Sequence, residues 1–354
     1  MKVIHLFLGD DSIFFNSIVE MTVSNQDLFD VSQILFVTTS KVAYEKYHSL
    51  VNVELTKRKS TSYLIVRTYA KRCEKLVVHG FANPFQAIFL SNKLCSRVIW
   101  RSWGHDVFEC QHSSLFKSII KKIIVKSFSK KVDCFFAIAG NDFVDLFNLT
   151  CHFKNRHIFQ LEYPIFFDNK KNNILTSASC KENKSLEILL GHSGFQNDNH
   201  IVILDKLKRF IKYDIHVNVV LSYGDKEYIE SIIDYVNYSW PSNKITLITQ
   251  KMEKEDYYFF LNAIDVAIFD GPKSYALGNI EALLFFEKTL FLNDNGIIAR
   301  AFTNKGVPFM KTSCLDDISF NDLSKKINYS KDAKKTIKMK EYNEIIKSWE
   351  LIYD

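Results

Sequence analysis

Along the chain, apolar positions fall into short continuous runs, separated by longer stretches in which they recur at helical spacing. Runs rich in Val, Ile, Leu and Phe occupy residues 2–8, 33–38, 75–79, 97–100 and 134–139. The intervening stretches 12–21, 61–72, 84–93, 115–129 and 141–149 mix apolar and polar residues in the way an amphipathic helix does. A strand covered on both faces reads as a nearly unbroken apolar run, whereas a helix lying on a sheet repeats every 3.6 residues. The alternation predicts a parallel, doubly wound α/β layer with helices on both faces.

The pattern breaks after Tyr163-Pro164. Residues 169–185 are rich in Lys, Asn and Ser and nearly free of large apolar side chains, which predicts a linker. The alternation then restarts, with strands at 186–190, 217–221, 245–248, 266–269 and 289–292. Helices are expected at 199–211, 226–235, 254–264 and 278–286, and one or two more within 334–353. The expected organisation is a first domain over 1–168, the linker, a second domain over 186–332, and C-terminal helices over 333–354. Two Rossmann-like halves of this kind leave a cleft at which the carboxyl ends of the strands meet a ligand.

Composition narrows the classes. A chain of 354 residues with thirty Phe and sixteen Tyr can fill two cores without staples. The seven cysteines are odd in number and scattered, with no zinc-ligand spacing, so a reducing compartment is expected and neither a metal nor a cofactor is implied. The apolar run 3–8 is stopped by Gly9-Asp10-Asp11, too early for a signal peptide, and no stretch approaches the roughly 20 apolar residues of a membrane span. A cytoplasmic protein that meets a membrane only from its surface is expected. A net charge of +6 is too small for a dedicated nucleic-acid binder. One segment concentrates basic charge: residues 115–131 carry Lys117, Lys121, Lys122, Lys126, Lys130 and Lys131 beside an apolar stripe, and no acid. Such a helix can lie on an anionic leaflet or can simply pack one face on its own sheet; membrane contact is the expectation taken forward.

Three further motifs sit where strands end. Gly191-His192-Ser193-Gly194 leaves the strand 186–190 ahead of Asn199-His200, and a small-residue turn of this kind can bring amides to an anion or can simply turn the chain. Asp270-Gly271-Pro272-Lys273 leads into Gly278-Asn279-Ile280-Glu281. There the Glu281 carboxylate can accept both hydroxyls of a ribose and Lys273 can neutralise phosphate, or Glu281 can merely complement the helix dipole. Trp103-Gly104-His105-Asp106-Val107-Phe108-Glu109 follows the strand 97–100 and offers carboxylates able to act as a general base, although Asp106 can also serve as a helix cap. His79-Gly80 holds the same strand-exit position, where a histidine is either catalytic or a hydrogen-bonded core residue.

Taken in order, these pieces resemble glycosyltransferase family 56, the TDP-4-acetamidofucose:lipid II transferases of enterobacterial common antigen synthesis. The likeness is carried by His5, Gly9-Asp10-Asp11 and Asn16, by His79-Gly80 and Asn83-Pro84, and by Trp103-Gly104, Asp106 and Glu109. It continues through Tyr163-Pro164 and Asp168, Gly191, Ser193-Gly194 and Asn199-His200, and Asp265, Lys273, Gly278 and Glu281, as far as about Asn295. The resemblance implies a GT-B fold with two facing Rossmann-like domains, the first for the acceptor and the second for a nucleotide-sugar donor. The donor side is expected at Gly191, Ser193, Gly194, Asn199, His200, Lys273, Gly278, Asn279 and Glu281. Asp106 is the expected base, with Glu109, Asp11 and His79 as the other catalytic candidates, and Asp10-Asp11 lacks the DxD spacing of a metal-dependent transferase. The implied activity is transfer of a 4-acetamido-4,6-dideoxyhexose from a TDP-sugar to an undecaprenyl-diphosphate-linked glycan at the cytoplasmic face of the inner membrane. A UDP- or GDP-sugar transferase and a non-catalytic scaffold are the alternatives. The chain departs from the family at Phe14-Phe15, where histidines are usual, at His192 in place of asparagine, and at Phe286, where the broader GT-B donor element has glycine. An O-antigen acceptor is therefore as compatible as common antigen.

Overall fold

In the computed structural model of the chain the described residues are 1–8, 12–56, 63–80, 91–101, 119–120, 123, 127, 134–137, 157–160, 163–164, 185–272, 276–304, 306–330 and 342–353. They form two compact units, one comprising Met1–Asp168 with Lys340–Asp354, the other Asn169–Met339.

The first unit holds a sheet of seven described strands, β1 (Val3–Phe7), β2 (Ile34–Thr38), β3 (Val53–Leu55), β4 (Lys75–His79), β5 (Val98–Arg101), β6 (Cys134–Ala137) and β7 (His157–Gln160), in the order 3-2-1-4-5-6-7. Every pairing is parallel. Its described helices are α1 (Ser12–Ser24), α2 (Lys41–Tyr47), α3 (Tyr63–Arg72) and α4 (Asn92–Cys95). The second unit repeats the scheme with β8 (Leu186–Leu190), β9 (Ile215–Val220), β10 (Ile245–Ile248), β11 (Val266–Phe269), β12 (Thr289–Leu292) and β13 (Met310–Lys311), in the order 10-9-8-11-12-13. Its helices are α5 (His200–Leu207), α6 (Lys226–Ser239), α7 (Lys254–Ala263), α8 (Leu277–Phe285), α9 (Ile297–Asn304) and α10 (Phe320–Leu323). The last helix, α11 (Tyr342–Tyr353), belongs to the first unit.

Both sheets reverse direction once, at β1/β4 and at β8/β11. In an open parallel sheet such a switch point, beyond the carboxyl ends of the strands, is where a ligand finds a crevice. The apolar runs become strands because both faces are covered: β1, β2, β11 and β12 are buried at every residue. Side-chain oxygens set helix starts, Ser40 accepting from the Ala43 amide at α2 and Asp225 from the Tyr228 amide at α6.

Several elements escape the hydrophobic pattern, the helices α9 and α10 among them. β3 is a three-residue edge strand without full burial, β13 has two residues, α2 has seven, and β7 is a four-residue strand at the other edge of the first sheet. The C-terminal segment also does more than follow the second unit. Ile345, Ile346, Trp349, Ile352 and Tyr353 join one core cluster with Val3, Phe7, Phe15, Phe36 and Val77.

That core contains a polar chain. His5 Nδ1 meets His79 Nε2 at 2.9 Å, His79 Nδ1 meets the Tyr163 hydroxyl at 2.6 Å, and His5 Nε2 meets the Tyr353 hydroxyl at 2.8 Å. Phe7 stacks on His79 at 3.8 Å between centroids, and Arg101 lies over the Tyr163 ring at 4.6 Å. Burial holds His5 neutral, its pKa down at about 3. Burial, then the nearby His5 and Arg101, push His79 well below the usual histidine range. With both imidazoles neutral, the three bonds must all point the same way along the chain.

Candidate functional site

The switch point of the second sheet is where the sequence places its donor motifs, and the loops leaving β8 and β11 do emerge there. They are organised by two buried carboxylates. Asp198 sits in the turn that follows β8, 3% exposed. Its Oδ2 accepts from the His192 amide (3.3 Å), the Ser193 amide (3.2 Å) and Ser193 Oγ (3.0 Å). His192 Nδ1 stands 3.0 Å from the same oxygen. Burial alone would raise the Asp198 pKa. Hydrogen bonds from the His192 side chain and amide overcome that penalty and hold Asp198 below its ordinary value.

Asp270, at the end of β11, ties the neighbouring loops together. Asn199 Nδ2 donates to its Oδ2 at 2.8 Å, Asn293 Nδ2 to its Oδ1 at 3.1 Å, and Thr312 Oγ1 also donates to Oδ1. The loops after β8, β12 and β13 are thereby tied to one carboxylate.

This architecture changes the role of the 191–194 turn. The Gly191 amide donates to Ile268 O and the Gly194 amide to Tyr223 O, while those of His192 and Ser193 serve Asp198. All four amides are bonded within the protein, so the expected amide cradle for an anion is filled by the chain's own carboxylate. The glycines answer to packing. Gly191 has φ +69° and a Cβ there would lie 2.4 Å from His200 Nε2, while a Cβ on Gly194 would meet Ile229 Cγ1 at 2.3 Å. Ser193 and His200 are fully buried, and Asn199 is spent on Asp270. Neither ring nitrogen of His200 has a hydrogen-bond partner among the described residues, and burial lowers its pKa to about 4. These three expected donor contacts point inward and hold the loop.

Beside this turn lies a small recess, of about 10 Å³, lined by His192, Asp198 and Asn293 on one side and by Phe269, Leu292 and Ile298 on the other. The Tyr223 ring stands edge-on to His192 at 6.2 Å and acts electrostatically on Tyr257. Tyr257 and Tyr258 of α7 are half-buried, the first near Asn279 in the first turn of α8 and the second near the charge of Glu281. Gly278, Asn279 and Glu281, at the start of α8, are partly buried. Asp198, Asp270, Tyr223 and Tyr257 were not singled out as site residues. Only the strand-exit position of Asp270 could have signalled it.

In the first unit, His79 is fully buried with both nitrogens engaged, which is the core-histidine alternative of its motif. Asp106, Glu109, Asp11, Lys273 and the lysines 117, 121, 122, 126 and 130 lie outside the described residues. Among the described residues no helix is long and apolar enough to cross a membrane.

Against known proteins, residues 11–348 match the family described as 4-alpha-L-fucosyltransferase, glycosyl transferase group 56. Among solved structures, a glycosyltransferase from Rickettsia africae superposes with a TM-score of 0.65 at 12% identity, over 99% of this chain and 97% of that one. Anabaena Alr3699/HepE, solved with UDP-glucose, gives 0.61 at 10% identity, over 99% and 98%. WaaG, a glycosyltransferase involved in lipopolysaccharide biosynthesis, gives 0.55 at 10% identity, over 100% and 94%. At such identities the likeness concerns the fold, which is GT-B: two parallel-sheet α/β units.

Proposed function

The chain belongs to the glycosyl transferase group 56 family, and from that premise we propose that it moves a 4-acetamido-4,6-dideoxyhexose from a TDP-sugar onto an undecaprenyl-diphosphate-linked glycan. That it is a glycosyltransferase follows from a family match spanning residues 11–348. The observation that supports a nucleotide-sugar donor on the second unit is the convergence at the β8/β11 switch point. There the loops after β8, β12 and β13 are tied together by two buried carboxylates beyond the strand ends.

In this reading Glu281 accepts the ribose hydroxyls and Lys273 meets the phosphates. Asp106, with Glu109 and Asp11 as the other candidates, takes the proton of the acceptor hydroxyl. The segment 115–131 holds the protein on the cytoplasmic face of the inner membrane, where the lipid-linked acceptor lies. UDP is the competing nucleotide, because Alr3699/HepE is a fold neighbour solved with it. The test is a thermal-shift series with TDP, UDP and GDP, followed by mass spectrometry of lipid-linked glycans incubated with a TDP-acetamidodideoxyhexose. Stabilisation by TDP and a mass gain of one acetamidodideoxyhexose are expected. Stabilisation by UDP alone reassigns the donor, and no nucleotide effect removes the donor site from the second unit.

A further inference from the structure

We propose that the outer face of α3, with the adjoining end of β3, is a second surface by which the first unit meets an anionic lipid leaflet. The inference rests on the reading that the protein works at a membrane, and it adds a second stretch to segment 115–131. Residues 56–72 carry Lys57, Arg58, Lys59, Arg67, Lys71 and Arg72, and residues 55–73 contain no acid. With the six lysines of segment 115–131 these more than account for the net charge of +6, and both stretches belong to the first unit. Lys57, Arg58 and Lys59 lie outside the described residues, so α3 supplies the geometry.

The buried face of α3 is Val66, Tyr69 and Ala70. Its solvent face is Leu64, Arg67, Thr68, Lys71 and Arg72, which share one stripe at i, i+3, i+4, i+7 and i+8. The preceding helix pairs its exposed cations: Lys41 of α2 meets Glu45 and Lys46 meets Glu20. On α3 Arg72 has Glu54 at 3.0 Å, whereas Arg67 and Lys71 have no acidic partner among the described residues. Four residues apart on one helix, those two cations repel one another, a strain that an anionic surface relieves. Lys71 and Arg72 stand in the last turn, where the helix dipole favours them, but Arg67 in mid-helix has no such reason to be there. The neighbouring apolar side chains decide between a leaflet and another polyanion. Leu55, the last residue of the edge strand β3, is 42% exposed, and Leu64, in the first turn of α3, is 55% exposed. A leucine beside uncompensated cations gains by entering the acyl boundary while the cations stay among headgroups. A nucleic acid, held through its phosphates, offers the leucines no such gain.

The experiment is cosedimentation of the full chain with vesicles of phosphatidylcholine, with and without phosphatidylglycerol, at about 0.1 M salt. The wild type is expected to bind the anionic vesicles and not the neutral ones. Replacing Arg67→Gln and Lys71→Gln together should lower partitioning by about fivefold per charge, while Arg67→Lys with Lys71→Arg should keep it. Leu64→Ser should lower it by about 3- to 10-fold. A tryptophan at the surface reports insertion directly: brominated lipid should quench the added fluorescence of Leu64→Trp but not that of Val202→Trp, a 53% exposed position on the second unit. If the α3 variants partition like the wild type while replacing the lysines of segment 115–131 abolishes binding, α3 has no such role and the membrane reading stands without it. A wild type that ignores anionic vesicles overturns the membrane reading and this inference with it. Binding to a DNA duplex that the double glutamine variant loses, without vesicle binding, does the same.

Discussion

The buried pair His5–His79 makes the first unit sensitive to acid in a calculable way. Both rings are fully buried and neutral, with folded-state pKa values at about 3 for His5 and well below the usual range for His79. In the unfolded chain each titrates near 6.5. Because the folded pKa values are depressed, the unfolded state binds more protons as the pH falls below 6.5. The stability is therefore complete above that value and drains away toward the folded values. Between pH 7.5 and 5.5 each ring contributes a loss of about 1.4 kcal/mol, so the pair costs the first unit roughly 3 kcal/mol, a large share of an ordinary domain's stability. Hydrogen exchange in graded urea, read by mass spectrometry on peptides covering β1 and α11, should show that loss. Tyr353→Phe removes the hydroxyl bonded to His5 Nε2 and should cost about 1–3 kcal/mol at either pH while leaving the pH dependence intact. Equal protection at pH 7.5 and 5.5 would refute the reasoning, since it would mean that the folded core accepts the protons.

Gly191→Ala should destabilise the second unit by about 2–4 kcal/mol, combining left-handed strain with a Cβ placed 2.4 Å from His200 Nε2. Gly306→Ala, at φ +65° with nothing within 4 Å, is the control and should cost only about 1–2 kcal/mol in the same denaturant titration. Glu281→Gln should raise the donor KM by roughly 10- to 100-fold with less than about 1 kcal/mol change in stability, and an unchanged KM would return Glu281 to a helix-dipole role. Replacing Lys117, Lys121, Lys122, Lys126 and Lys130 by Gln should weaken cosedimentation with anionic vesicles by about 1 kcal/mol per lysine near the surface. Turnover should survive EDTA, and a strict requirement for added manganese would contradict the metal-independent assignment.

The fold was legible wherever burial on both faces leaves an unbroken apolar run. β1, β2, β4, β8, β11 and β12 could be located on that signal alone. β3, β13 and α2 were not, because a two- or three-residue strand with partial burial and a seven-residue helix have no period to detect. The destination of α11 was hidden for another reason. Nothing local in residues 342–353 says which sheet the helix covers, and the answer lies in partners some 350 residues away, Tyr353 on His5.

The site was legible in position but not in chemistry, and the difference comes down to one carboxylate. A turn of two glycines and a serine before a helix predicts a place for an anion, and an anion is there. It is Asp198, five residues beyond Ser193 and unremarked in the sequence because an acid in a short turn usually faces water. Once that carboxylate is in place, the glycines serve His200 and Ile229, and the asparagine serves Asp270. The position where the family resemblance expects asparagine is the one where this chain has histidine. An asparagine there could still bond to the Asp198 carboxylate as His192 does, so the turn can form with either residue.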